Sequence, residues 1–282
     1  MLNVFSAAPR SRRRWLYGFI ATITALGLIV TTPRPSHALP RVVDLIFRGI
    51  QVIQLSSLSD NQEVALGQQI NRQLVGQELE LYTDSGITNY VNQIGQGLVP
   101  YSARPDIPYV FQVVKSDQVN AFATMGGYVY VTTELLRTAE NEAQLASVIS
   151  HEIGHIAARH AVEHLREGAL AGGVLTAAGL DRSDAVNLGV ELAIRRPNSR
   201  HDELEADEKG LDTLVQAGYA PGAMVDFMEK LARQPSLPSF LSTHPAVSTR
   251  IERLDSLIDP ATAYSGKGLD NAAYRNKISA LL

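Results

Sequence analysis

Apolar and polar positions recur with different periods along the chain, and the changes of period mark its elements. Ser59-Asp60-Asn61-Gln62 has the spacing of a capping box, in which Ser and a Gln three residues on satisfy each other's free backbone donors. A helix is therefore expected from there to about Val75, and another from about Gly86 to Leu98. The texture then changes. Tyr109 to Val114 and Tyr128 to Thr132 are rich in β-branched and aromatic residues between turn formers, and they predict strands. Asn120-Ala121-Phe122-Ala123, followed by Gly126-Gly127, predicts a third. Asn141 with Gln144 three positions on is expected to start a long helix that ends near Leu165. Gly154 inside it costs about 1 kcal/mol relative to Ala, which marks a close approach by neighbouring backbone. Further helices are expected from His201 to Ala217, Pro221 to Arg233 and Pro245 to Ile258, with Pro235 and Pro238 breaking the chain before the last. The predicted fold is α+β: mostly helical, with a small sheet beside the helix that carries residues 151–155.

The ends read differently. Arg10, Arg12, Arg13 and Arg14 precede sixteen residues without a charge, Trp15 to Val30, and Ser36-His37-Ala38 offers small residues where a signal peptidase cuts. A cleaved signal peptide over 1–38 is expected, with an uncleaved anchor as the alternative. Residues 39–58 are apolar with interspersed Arg41, Asp44, Arg48 and Gln51, and predict an amphipathic packing helix. The main domain is then 59–258, followed by a tail, 259–282. Gly168 to Leu180 is Gly/Ala-rich, apolar and too short to span a bilayer, and is expected to be a mobile or surface-lying segment over the site.

Loss of 1–38 would leave 20 basic against 29 acidic residues, a net charge of −9. That balance excludes nucleic acid, which needs a basic footprint. The chain has no cysteine, so it has no disulfide and no thiolate metal site. An exported protein without disulfides relies on its core, and a chain of this length can bury one.

Residues 151–155 read His-Glu-Ile-Gly-His. His151 and His155, four apart, share a helix face and can bind one Zn²⁺, with Glu152 placed to act as general base. A catalytic zinc takes three protein ligands and keeps one position open. Glu203-Leu204-Glu205-Ala206-Asp207 offers the third. Glu203 and Asp207 are four apart on one face, so the first can ligate while the second takes the outer N–H of a ligand imidazole. Glu205 lies about 200° round the helix from Glu203 and faces elsewhere. His160 and His164 are also four apart, but His160 lies off the face of His155, and both are expected to be surface or packing residues. His201 is expected to point away.

The run Asn120 to Ala123, Gly126-Gly127, His151-Glu152-x-x-His155, Arg159-His160, Ser199-Arg200-x-x-Glu203-x-Glu205-Ala206-Asp207 and His244-Pro245-x-x-x-x-Arg250 resembles the HtpX-type and CAAX-prenyl-protease-type zinc metallopeptidases, peptidase family forty-eight of clan MA. The resemblance covers roughly residues 60 to 258. It implies a zincin-like fold, one Zn²⁺ per chain held by His151, His155 and Glu203, Glu152 as base and Asp207 behind a histidine. It also implies that Asn120, Ala121, Phe122 and Ala123 form an edge strand on which an extended substrate can add. One departure is Met125, where the family often has Pro. His244 sits near the metal in relatives, where it either stabilises the oxyanion or caps the zinc and silences it; structurally it can equally be part of a helix start with Pro245 at the first position.

The expected activity is zinc-dependent hydrolysis of internal peptide bonds. The resemblance implies quality control of unfolded or misassembled exported proteins, and the expected signal, as the one convincing membrane element, places the mature chain in the periplasm or cell envelope, soluble or peripherally attached to the membrane. Two alternatives stand beside it. One is a non-catalytic chaperone or assembly factor that keeps the fold. The other is a hydrolase of non-peptide amides like the deformylases, whose metal needs a Cys that this chain lacks.

Overall fold

Ser59 begins the first long helix. Its hydroxyl accepts from the Gln62 backbone N–H while the Gln62 side chain reaches back to the Ser59 backbone, the reciprocal cap its spacing predicts. The structure, a computed structural model, describes residues 52–53, 55–174, 179–195, 198–234 and 238–282. The expected signal over 1–38 and most of the helix expected over 39–58 lie outside the described residues. Where 39–58 is described it is not α-helical: Val52–Ile53 is a strand (β1) and Leu55–Ser57 a 3₁₀ turn.

Helix α1 is Asp60–Gln73, continued by a π turn, Leu74–Glu78. Helix α2, Ser85–Leu98, is capped by the Asp84 carboxylate on the Ile87 N–H. A three-stranded sheet follows: β2 Val110–Val114, β3 Ala121–Thr124 and β4 Tyr128–Thr132, in the order β2-β4-β3. Strand β4 runs parallel to β2 and antiparallel to β3, so β3 is an edge. The register pairs Phe111 with Val129 and Ala121 with Val131. Side chains alternate across a strand, and this register sorts two cores. Phe111, Val113, Ala121, Val129 and Val131 join one cluster with α2 and the central helix. Val114, Tyr130 and the flanking Phe122 and Tyr128 join another with α1.

Helix α3, Thr133–Thr138, leads to α4, Glu142–Ala158, which is capped by Asn141 on the Gln144 N–H. Every residue of α4 from Ala143 to Ile156 is buried. Leu145, Ile149 and Ile153 carry that burial at about 1.5–3 kcal/mol each, and the same helix buries two histidines and a glutamate. The helix expected to run on to Leu165 breaks at Arg159, whose left-handed backbone (φ 63°) ends α4 and starts α5, His160–Ala171.

The segment expected to be mobile or surface-lying over the site is exposed over residues 170–174 and is tied at both described ends. Gly168 to Ala171 is the last turn of α5, and Leu180, fully buried, opens the strand β5 (Leu180–Asp181) that pairs with β1; residues 175–178 lie outside the described residues. Helix α6, Arg182–Arg195, was not signalled by the hydrophobic pattern. Helix α7, Arg200–Gln216, has the cap Ser199 and packs along α4. Helices α8 (Gly222–Ala232), α9 (Ser239–Thr243), α10 (Val247–Leu257) and α11 (Asn271–Lys277) complete the chain. Pro245 does not start α10: Ala246, in the left-handed region, is its cap and Val247 its first residue. Among the described residues, no helix is long and apolar enough to cross a membrane.

Candidate metal centre

The seam between α4 and α7 is made of small residues, and this lets two helices bring their polar side chains to one point. A Cβ on Gly154 would run into the Ala206 carbonyl oxygen, and one on Gly210 would stand 2.9 Å from the Cα of His151. The close approach that Gly154 predicts is therefore real, and Gly210 repeats it one helix away.

His151 and His155 bring their Nε2 atoms to 3.0 Å of each other. Glu203 on α7 places Oε1 3.2 Å from His155 Nε2 and Oε2 3.5 Å from His151 Nε2. His244, between α9 and α10, turns Nδ1 to within 3.2 Å of His151 Nε2 and 3.0 Å of Glu203 Oε1. One donor atom from each of the four lies within 4.8 Å of the others, and all four residues are buried. Three imidazoles and one carboxylate without a thiolate form a donor set that suits zinc.

Behind this cluster stands a charged layer. Asp207 Oδ1 accepts from His151 Nδ1 at 2.8 Å. Arg250, 1% exposed, clamps Asp207 with two bonds of 2.7 Å and reaches Glu203 Oε2 at 2.6 Å. Its Nη1 also donates to the His244 carbonyl at 3.3 Å. Asn198 donates to Glu203 Oε1 at 2.7 Å. The chain pattern marks Arg250 as a motif position without a role and is silent on Asn198. Both act on residues remote in sequence or outside any helical period, so no local signal announces them.

Burial works against the charge of Glu203, but His244, Arg250 and His151 hold it well below the usual carboxylate range. Asp207 is likewise kept low, Arg250 outweighing burial. Burial pushes His155 down to about 3, so its ring is neutral and can offer a lone pair. Burial and Arg250 press His151 down too, yet Asp207 and Glu203 raise it to about 9.

Glu152 faces the other way. It is buried, burial pushes its carboxyl up, and Oε1 has no hydrogen-bond partner among the described residues. His244 Nε2 lies 3.5 Å from that oxygen. Glu152, His155 and His244 border a cleft, with Asn120, Phe122 and Ala123 on the β3 side. Ala121 itself is fully buried, but its carbonyl accepts from His244 Nε2 at 3.3 Å.

The remaining predicted positions divide. Glu205 turns from the centre toward His160 and Lys209, and His201 is exposed, as the helix period requires. Of the two readings of His160 and His164, surface or packing, the buried one holds: His164 lies against Asp202 at 2.9 Å and His160 against the ring of His155 at 2.8 Å. The straight-helix geometry that kept His160 off the face of His155 fails because the helix ends at Arg159.

A family profile described as Peptidase family M48 matches residues 87–258. A Beta-barrel assembly-enhancing protease of Escherichia coli (strain K12) is 35% identical over 214 residues, covering 70% of this chain and 44% of that protein. The mitochondrial metalloendopeptidase OMA1 of Arabidopsis thaliana is 38% identical over 145 residues, covering 50% and 30%. The corresponding mitochondrial protein of Bos taurus is 35% identical over 178 residues, covering 55% and 34%. The chain spans less than half the length of each of these relatives.

Proposed function

The chain belongs to peptidase family M48, and on that premise we propose that it is a zinc metalloendopeptidase. The observation that carries the reading is the buried four-donor cluster with the unpartnered oxygen of Glu152 beside it on one cleft. His151 and His155 would hold the metal through Nε2 and Glu203 through its carboxylate. Zinc held there supplies polarisation of the scissile carbonyl and acidification of the attacking water. Glu152 takes that water's proton on Oε1 and passes it to the leaving amine, and its elevated affinity for a proton suits this exchange. Asp207 keeps the outer N–H of His151 in place, and Arg250 compensates two carboxylates that could not otherwise be buried together.

The substrate is an extended polypeptide. Among the described residues no strand pairs with the outer edge of β3, and strand addition there would lay a peptide past Glu152. Ile70, Phe122, Val162 and Leu192 give the far wall of the cleft an apolar lining suited to the side chains that unfolded proteins expose. His244 occupies both partners at once, Nδ1 on the donor cluster and Nε2 on the Ala121 carbonyl. We read it as a cap that must swing out before an incoming strand can bond to Ala121. Unfolded or misassembled exported proteins as substrates, and the cell envelope as the place of action, are supported by the expected signal segment and by similarity to proteins named for β-barrel assembly.

Zinc content and cleavage of denatured casein, measured together for the wild type, Glu152→Gln and His244→Ala, test this reading. Glu152→Gln should keep zinc and lose turnover by at least about 10²-fold, while His244→Ala should cleave faster than wild type. Full turnover in Glu152→Gln would remove the base assignment. A zinc-loaded wild type that cleaves no denatured protein would favour a chaperone that keeps the fold.

A further inference from the structure

A metal-binding imidazole is usually held from behind by a carboxylate or a carbonyl. His155 is held by another imidazole. Its Nε2 points to the donor cluster, and its Nδ1 lies 2.8 Å from Nδ1 of His160. Two ring nitrogens this close share one hydrogen, so one donates and the other accepts. The far side of His160 decides which. Its Nε2 faces Glu205 Oε2 at 3.4 Å and Asp202 Oδ1 at 3.9 Å, both acceptors. His160 therefore carries its hydrogen on Nε2 and leaves Nδ1 as a lone pair. His155 then donates from Nδ1, and its Nε2 lone pair is turned to the cluster. That is the tautomer a ligand binding through Nε2 needs.

The backbone is bent to make this contact. Five residues along a straight helix separate two side chains by about 140°. Arg159 removes that separation by adopting φ 63° and ψ 27°, a left-handed conformation that costs a non-glycine residue on the order of 1–3 kcal/mol. Its side chain is pinned in compensation. Nη2 donates to the Leu58 carbonyl at 2.6 Å, and Nε lies 3.1 Å from Oε2 of Glu63, itself 1% exposed. Arg104 binds both Glu63 oxygens and the Ile156 carbonyl at the end of α4. The bend is thus braced from α1.

We propose that His160 is a positioning residue of the metal centre, fixing the tautomer and rotation of His155 through the Nδ1–Nδ1 hydrogen bond, with Glu205 and Asp202 as its anchors. This rests on the reading of His151, His155 and Glu203 as zinc ligands. The test uses the full chain, zinc, and a chromophoric chelator in competition. His160→Phe keeps the ring volume and offers no acceptor. His160→Asn places a carbonyl oxygen where Nδ1 stands, whereas His160→Gln places its polar end where Nε2 stands.

Zinc retention should fall about 10–100-fold in His160→Phe, stay low in His160→Gln and return toward wild type in His160→Asn. The visible spectrum of the cobalt-substituted protein should change in the same order. A merely packing role would rank the variants by volume, with Phe closest to wild type, and that ranking overturns the proposal. If His160→Phe does not fold, the Asn-against-Gln pair decides by itself. Wild type that takes up no zinc would sink the metal centre and this role together. Zinc lost in Glu203→Gln but kept in His160→Phe would sink the role of His160 and leave the centre standing.

Discussion

The back of His151 rests on a carboxylate, Asp207, gripped by two bonds from a buried arginine. The back of His155 rests on a ring, His160, whose nearest anchor, Glu205, is 39% exposed. One support is a sealed layer of full charges. The other is a hydrogen-bond relay that reaches toward water. A sealed ion layer is rigid and costly to break, since any partner removed leaves a buried charge without compensation. A relay through imidazole carries little charge and loses less when cut. Two candidate ligands on one helix are thus held with unequal stiffness, and the stiffer one is tied to the carboxylate of Glu203 through Arg250.

Arg250→Met should have the largest effect. It strips the cation from both Asp207 and Glu203 and should cost the metal-free protein about 3–5 kcal/mol. Denaturant unfolding measures this, and a loss below about 1 kcal/mol would show that the charged layer is not what holds His151. Asp207→Asn comes next. It keeps shape but weakens the acceptor behind His151, and should lower zinc affinity about 10–100-fold; chelator competition showing equal affinity would erase the distinction between the two supports. Glu205→Gln should do least. It keeps an acceptor at a half-exposed site and should shift stability by less than about 0.5 kcal/mol. A zinc loss in Glu205→Gln as large as in Asp207→Asn would mean that the relay is as stiff as the charged layer.

The stiff side was the more legible in sequence. His151, His155, Glu203 and Asp207 are each four residues from a partner, and that spacing by itself places each pair on one face. Gly154 announced the seam because glycine is disfavoured inside a helix unless something touches it. The β-branched runs announced β2 and β4 for a similar local reason. The relay stayed hidden because it depends on Arg159 taking a left-handed backbone, and nothing in Ala157-Ala158-Arg159-His160 favours that. Partners far upstream, the Leu58 carbonyl and Glu63, make it tolerable. Arg250 and Asn198 were invisible as partners because long-range pairing has no period. Helix α6 was missed because Asn187 and Gly189 dilute its pattern, and β1 and β5 because two residues each are too few to show one.

Glu63 lies outside the stretch of the chain that the family profile matches, residues 87–258. A fragment trimmed to that stretch would carry every donor atom of the centre and still lack the acid that Arg159 and Arg104 close upon. A piece of this protein that keeps the buttress of the Arg159 bend therefore reaches back at least to Glu63, beyond the stretch that the profile marks.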